Sequence, residues 1–335
     1  MRAYELRDFG IEHLTLTERP NLQPGVGQVV MRVRAVSLNF RDRLVIHGSY
    51  SRKLPLPVVP CSDAAGEVMA VGEGVGRFHV GDRVMANFMP GWIEGEVTQE
   101  KAKTALGAGV DGVLAEQIVM DQRSLVEVPA MLSLDEAATL PCAAVTAWNA
   151  LMEAGHMKAG DTVLLLGTGG VSLFALQLAR IAGALVIITS SSDEKLARAR
   201  TLGAAVGINY GTTPDWEEHV RELTGGRGVD HVVEVGGAQT LEKSARAARF
   251  GGHIALVGNL TGRAGVDIVP LFMKCLRLSG ILVGSRAMFE EMNRAIANAG
   301  MRPVVDRVFA FEQAAEALHY MENGTHFGKI VIRVD

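Results

Sequence analysis

The stretch Asp161-Thr162-Val163-Leu164-Leu165-Leu166-Gly167-Thr168-Gly169-Gly170-Val171-Ser172-Leu173-Phe174 decides how the whole chain is read. Val163 to Leu166 is a short apolar run of the kind that makes a buried strand. Gly167-Thr168-Gly169-Gly170 breaks the run. Beyond it Val171, Phe174, Ala175, Leu178, Ile181 and Ala182 recur at helical spacing. A strand, a glycine turn and an amphipathic helix predict the phosphate cradle of a dinucleotide-binding unit. Glycines let the backbone approach a pyrophosphate, and a helix start offers unpaired N–H groups and a positive dipole end. Ser172 stands where a third glycine is usual, at the helix–strand packing contact, which weakens the fingerprint without excluding it. The uncharged span from Thr162 to Ala179 has the length of a membrane helix, but its glycines and Gln177 argue against one.

Downstream, strands alternate with helices. Apolar runs at Leu185–Thr189, Ala205–Ile208, His231–Val235, His253–Val257 and Leu278–Val283 predict further strands of a doubly wound parallel sheet, the Rossmann arrangement. Upstream, helices are expected from Ser133, a cap for Leu134-Asp135-Glu136, and from about Ala143 to Ala154. Residues 1 to about 125 instead show short β-rich runs, among them Gln28–Ala35, Gly66–Val71 and Asp82–Ala86, punctuated by glycines; they suggest a barrel-like β module. Residues 91–112 read as a surface loop. After Gly284 come helices near Ala287–Asn298 and Glu312–Glu322 and a strand at Lys329–Val334 that is expected to rejoin the first module. The expected division is therefore a discontinuous β-rich domain, 1–127 with 286–335, around a nucleotide domain, 128–285.

A net charge of −4 gives no basic footprint for nucleic acid or an anionic membrane. Met1-Arg2-Ala3-Tyr4-Glu5 reads as a first strand and not a signal peptide, and the scattered Cys61, Cys142 and Cys275 fit reduced thiols. A cytoplasmic protein acting on a small molecule is expected.

The second strand runs into Thr189-Ser190-Ser191-Ser192-Asp193-Glu194-Lys195, and Ser190 lies 21 residues beyond Gly169, where an adenosine ribose is read. Hydroxyls and a lysine there suit the 2′-phosphate of NADP. Ser192 also fits a helix N-cap, and Asp193 could be the acid that binds an NAD ribose. Asn209-Tyr210 closes the third strand, where it forms a turn or reaches an adenosine phosphate. Glycines at 236, 237 and 258 follow the fourth and fifth strands, at ends where open α/β sheets bind ligands.

Taken with Ser37-Leu38-Asn39-Phe40-Arg41-Asp42, Ser62-Asp63-Ala64-Ala65-Gly66-Glu67-Val68, Val71-Gly72-Glu73-Gly74-Val75, Val80-Gly81-Asp82-Arg83-Val84, Leu140-Pro141-Cys142-Ala143-Ala144-Val145-Thr146-Ala147-Trp148 and Phe327-Gly328-Lys329-Ile330-Val331, the chain resembles the medium-chain dehydrogenase/reductases over nearly its full length. It is most similar to their zinc-independent, quinone oxidoreductase branch. The resemblance implies a GroES-like catalytic domain, NADP(H) held in the cleft beside it, and a homodimer formed by edge pairing of the strand Leu278–Val283. It places Thr146 against the nicotinamide and Ser191, Lys195 and Tyr210 around the adenosine phosphate. Val257, Gly258, Val283 and Ser285 would line the nicotinamide side. The cofactor set is completed by Gly167, Thr168, Gly169, Gly170, Val171, Ser190, Gly236, Phe327 and Lys329. The zinc-holding positions of the family's alcohol dehydrogenases fall on Asn39, Ser62-Asp63 and Cys142, and residues 85–130 lack the cysteines of a structural zinc lobe.

Without metal, hydrogen-bond donors must stabilise the oxyanion or enolate left by hydride transfer. Asn39 offers an amide, Arg41 a cation and Tyr50 a phenol able to supply a proton, with Asp42 orienting Arg41 or the backbone. The bland alternative makes Asn39 a turn cap, Arg41–Asp42 a structural ion pair and Tyr50 a surface residue. The expected activity is NADPH-dependent reduction of a quinone, enone or related carbonyl. A zinc-free alcohol dehydrogenase, an enoyl reductase and a non-enzymatic NADPH-binding sensor or structural protein are the alternatives.

Overall fold

The computed structural model describes residues 1–262 and 264–335. They fold as two units, Met1–Val145 with Gly284–Asp335 and Thr146–Val283, so residues 128–145 stand with the first.

The first unit opens with β1 (Arg2–Leu6), β2 (Leu14–Glu18) and β3 (Gln28–Ser37) and continues with β4 (Asp63–Val71), β5 (Arg83–Ala86), β6 (Gln117–Asp121) and β7 (Leu125–Glu127). The second unit supplies β8 (Thr162–Leu166), β9 (Leu185–Ser190), β10 (Val206–Asn209), β11 (Val229–Glu234), β12 (Ala248–Leu256) and β13 (Arg277–Gly280). The chain then returns to the first unit with β14 (Val305–Ala310) and β15 (Lys329–Arg333).

The first unit's main sheet runs β14-β15-β3-β4-β5-β7, with β6 also on β3. β15 pairs antiparallel with β3, opposing Val331 to Ser37 and Arg333 to Ala35. That pairing draws Lys329 to the end of β3, where Asn39 begins. β3 and β4 lie so close that a Cβ on Gly66 would meet the Arg32 carbonyl at 1.9 Å, so only glycine fits there. Val29, Met31, Val33 and Val36 of β3 pack with Ala64, Val68, Phe309, Ile330 and Ile332 into one core.

The second unit is the expected doubly wound sheet. All six strands are parallel in the order β10-β9-β8-β11-β12-β13. The order reverses between β8 and β11, and the carboxyl ends of such a switch point are where open α/β sheets take ligands. Val163, Leu164, Leu165, Val232 and Val233 are fully buried because both faces of these central strands are covered.

Two local expectations need correction, and a third holds in part. β13 ends at Gly280 and not Val283, and beyond that end Val283 stands at φ 52°, a left-handed conformation that a strand does not hold. In place of a regular helix over 143–154, one α turn (Val145–Trp148) lies between π-helical segments, Leu140–Ala144 and Asn149–Glu153, the first of which contains Pro141. Residues 91–112 are largely irregular and 93–104 are exposed or half-buried, as a surface loop should be, but Trp92, Ala105, Leu106 and Ala108 are buried and tie the segment to the core. Ser133 does cap its helix: its Oγ accepts from Glu136 N, and Glu136 reaches back to Ser133 N. Among the described residues no helix is long and apolar enough to cross a membrane.

Candidate active site

In the second unit the turn after β8 has the shape a pyrophosphate needs. Gly167 has φ 73°, and an added Cβ at Gly167 or Gly169 would meet nothing within 4 Å. The helix Gly170–Ile181 follows with no side-chain hydrogen bond at its N-cap, so its first N–H groups stay available to an anion. Ser172, the departure from the glycine fingerprint, is buried and its Oγ donates to the Leu166 carbonyl at 2.7 Å. The serine thereby pins the helix to the strand end. Thr168 is buried beside Gly167, and Val171 is half-buried on the helix's first turn.

At the end of β9, Ser190 is buried and its Oγ accepts from Ser192 N at 3.2 Å. Ser192 caps the helix Asp193–Thr201 through Lys195 N, and Ser191 is exposed. Asp193 accepts from Asn209 Nδ2 at 2.9 Å, while Asn209 Oδ1 accepts from Gly211 N in an Asx turn that leaves Tyr210 exposed. Thus the turn reading of Asn209 holds, and β9 and β10 present their ends together.

The loops after β11 and β12 are tied to each other. Thr261 donates both N–H and Oγ to the Gly236 carbonyl, and a Cβ on Gly258 would meet the Val235 carbonyl at 2.7 Å. Glu234 organises this end, although the sequence reading passed over it. It is fully buried at the close of β11 and accepts from Gly236 N, Gly237 N, Thr240 Oγ1 and Ser244 Oγ. An acid ending an apolar strand just before Gly-Gly was the available signal. Val257 is half-buried, Thr146 is buried, and the Val283 carbonyl accepts from Asn149 Nδ2 at 2.8 Å.

The first unit holds a second cluster, built where β15 meets the β3 end. Asn39 starts the helix Phe40–Ile46, and Asp42 Oδ2 accepts from Asn39 N at 2.8 Å. Asp42 therefore orients the backbone. The Asn39 side chain makes no cap bond; its Oδ1 accepts from Lys329 Nζ at 2.6 Å. Lys329, 3% exposed, also donates to the Leu38 carbonyl at 2.5 Å. Asp63 is fully buried, accepting from Ser62 Oγ at 2.8 Å and from Cys142 N at 3.0 Å. The Asn39 amide favours the Asp63 carboxylate, while Asn39 Nδ2 is buried and completes no hydrogen bond among the described residues.

Arg41 donates through Nη1 to the Leu106 carbonyl at 2.7 Å and lies 4.9 Å from the Tyr50 ring centroid and 4.8 Å from that of Phe88. Its Nε and Nη2 are buried without hydrogen-bond partners among the described residues. Tyr50 is 47% exposed and held to the site by that stacking. Burial pushes Asp42 up to about 6, against the pull of the Arg41 charge and the Asn39 N–H bond. Burial likewise raises Asp63 and pushes the Cys142 thiol up, with the Asp63 charge adding to the latter. Cys61, just before Ser62, is buried at φ 67°, a strained conformation for a non-glycine residue. Of the remaining candidates, the Ser285 hydroxyl caps the helix Arg286–Ala299 through Met288 N, and Phe327 is buried with its N–H on Asp306.

Residues 25–130 match the alcohol dehydrogenase GroES-like domain, and residues 170–298 match the zinc-binding dehydrogenase family. A zinc-type alcohol dehydrogenase-like protein of Schizosaccharomyces pombe is 43% identical over 92% of this chain and 91% of its own length. The crystal structure of an NAD-dependent alcohol dehydrogenase superposes with a TM-score of 0.92 at 37% identity, covering 100% of both chains. The quinone oxidoreductase of Coxiella burnetii superposes with a TM-score of 0.82 at 28% identity, over 100% of this chain and 99% of that one.

Proposed function

This chain belongs to the medium-chain dehydrogenase/reductase superfamily, and on that premise we propose that it is an NADPH-dependent reductase of quinones, enones or related carbonyls that works without zinc. The observation that carries this reading is the donor set at the family's metal position. Zinc normally takes three protein ligands beside its open site. Here Asn39 Oδ1 is occupied by an ammonium and both Asp63 oxygens accept hydrogen bonds, which leaves Cys142 as the one soft ligand at the position. These residues do not fit a zinc ion, and no step of the mechanism passes through one.

A dinucleotide does fit the second unit, given the open space over Gly167 and Gly169 and the uncapped helix start. Gly167, Thr168, Gly169, Gly170 and Val171 would cradle its pyrophosphate. Ser190, Ser191, Lys195 and Tyr210 would receive the adenosine phosphate, and Gly236, Val257, Gly258 and Val283, with Thr146, the nicotinamide half. When bound, the dinucleotide supplies hydride. Asn39 Nδ2 donates to the substrate oxygen as negative charge grows on it, and Arg41 adds its cationic field. The Tyr50 hydroxyl, or solvent, returns the proton.

Support for NADPH comes from the hydroxyls and Lys195 after β9, and from the engagement of Asp193 by Asn209. An NAD preference is the second reading, favoured by the NAD-dependent structural relative. Ser191 is exposed, so Ser191→Asp should fold normally, raise the KM for NADPH at least about tenfold by repelling a 2′-phosphate, and leave NADH use unchanged or better. An unchanged NADPH KM contradicts this placement.

A homodimer is part of the same reading. β13 is an edge strand, and Leu278, Leu282, Ile268, Val269, Phe272 and Met273 expose apolar surface around it. A monomer in light scattering at micromolar concentration would refute it.

A further inference from the structure

We infer that Lys329 is a positioning residue whose ammonium fixes which end of the Asn39 amide is presented to substrate, an inference that rests on the reading of Asn39 as the oxygen-binding donor. An amide can face a neighbour with either its oxygen or its nitrogen, and the two ends are nearly equal in size. An ammonium has three N–H donors and no acceptor, so only the Asn39 oxygen can face it. The contact is short at 2.6 Å, and Lys329 is held from its other side by the Leu38 carbonyl at 2.5 Å. Both side chains are more than nine-tenths buried, so water does not offer Asn39 an alternative partner of either sign. The consequence is directional: with Oδ1 fixed on Lys329, Nδ2 is presented at the opposite side, where it is buried and unpartnered among the described residues. Asp63 reinforces the choice. Its carboxylate accepts from Ser62 Oγ and Cys142 N, is favoured by the Lys329 charge, and disfavours an amide oxygen turned towards it. Lys329 acts through Asn39, with no contact to the reacting atoms assigned to it.

The test is a mutant cycle on the full-length protein, read as NADPH consumption with a naphthoquinone and with cyclohexenone. Lys329→Met keeps the reach of the side chain and removes its donors; it should lower kcat at least about tenfold with little change in the KM for NADPH. In an Asn39→Ala background the same substitution should change kcat less than about twofold, since the residue it orients is gone. Losses that multiply would show that Lys329 acts elsewhere and overturn the inference. An independent readout is the Asn39 side-chain amide pair in a nitrogen–proton correlation spectrum, assigned by its loss in Asn39→Ala. In Lys329→Met the pair should shift or split into two orientations, and an unmoved pair overturns the inference. Lys329→Gln, which offers either a donor or an acceptor and keeps the site polar, is the second variant should the methionine variant not fold, with the same two outcomes. If wild type reduces neither acceptor, the functional reading fails, while the amide spectrum still decides the positioning role.

Discussion

Asn39→Ala should lose roughly 100- to 1000-fold in kcat for quinone or enone reduction, the loss typical of removing one preorganised donor from an oxyanion site. Affinity for NADPH, measured by fluorescence titration, should stay within about twofold of wild type, because the cradle belongs to a separate unit of the chain. The substitution also removes an acceptor from a buried ammonium, which costs on the order of 1–3 kcal/mol of stability. Lys329 keeps the Leu38 carbonyl, and the Asp63 charge still favours its ammonium, so the variant should fold. Kinetics should thus separate from stability: a large fall in kcat beside a modest fall in the unfolding temperature. Unchanged turnover would remove Asn39 from the chemistry and restore its reading as a turn residue.

Gly169→Val is expected to show the opposite separation. Gly169 has φ −79° and ψ −179°, an extended conformation open to any residue, and a Cβ there would meet no atom within 4 Å. The valine should therefore leave the unfolding temperature nearly unchanged. Its branched side chain would stand in the space that a pyrophosphate must enter to reach the N–H groups of the helix Gly170–Ile181. NADPH affinity should fall by about 100-fold or more, equivalent to roughly 3 kcal/mol. A variant that is equally stable and binds NADPH as tightly as wild type would show that the glycine turn is merely a strand-to-helix connection.

The two variants bear on what a sequence discloses. The strand–turn–helix around Gly169 was legible because it is local: the apolar period changes across four residues, and glycine alone permits φ 73° at position 167 without strain. The value of Ser172 was not legible, since its hydroxyl bonds a backbone carbonyl that no side-chain pattern reveals. Asn39 stood out through its motif, yet its partner lies 290 residues away and arrives only through the pairing of β15 with β3. Lys329 was consequently placed with the cofactor residues, whereas its ammonium is engaged beside Asn39. Leu278–Val283 reads as one strand because its apolar residues carry no mark of the end at Gly280 or of the left-handed Val283 beyond it. Leu106 shows the same limit: its carbonyl holds Arg41, a backbone role invisible in a stretch that looks like a loop.

The central claim is that this fold reduces carbonyl-type acceptors with hydrogen-bond donors in place of zinc. The most direct measurement is NADPH consumption by chelator-treated protein of verified zinc content, offered a naphthoquinone and cyclohexenone separately, with NADH in parallel. Turnover with NADPH at negligible zinc, undiminished by chelation and not raised by added zinc, is the predicted result. Activity that disappears on chelation and returns with zinc would contradict the account.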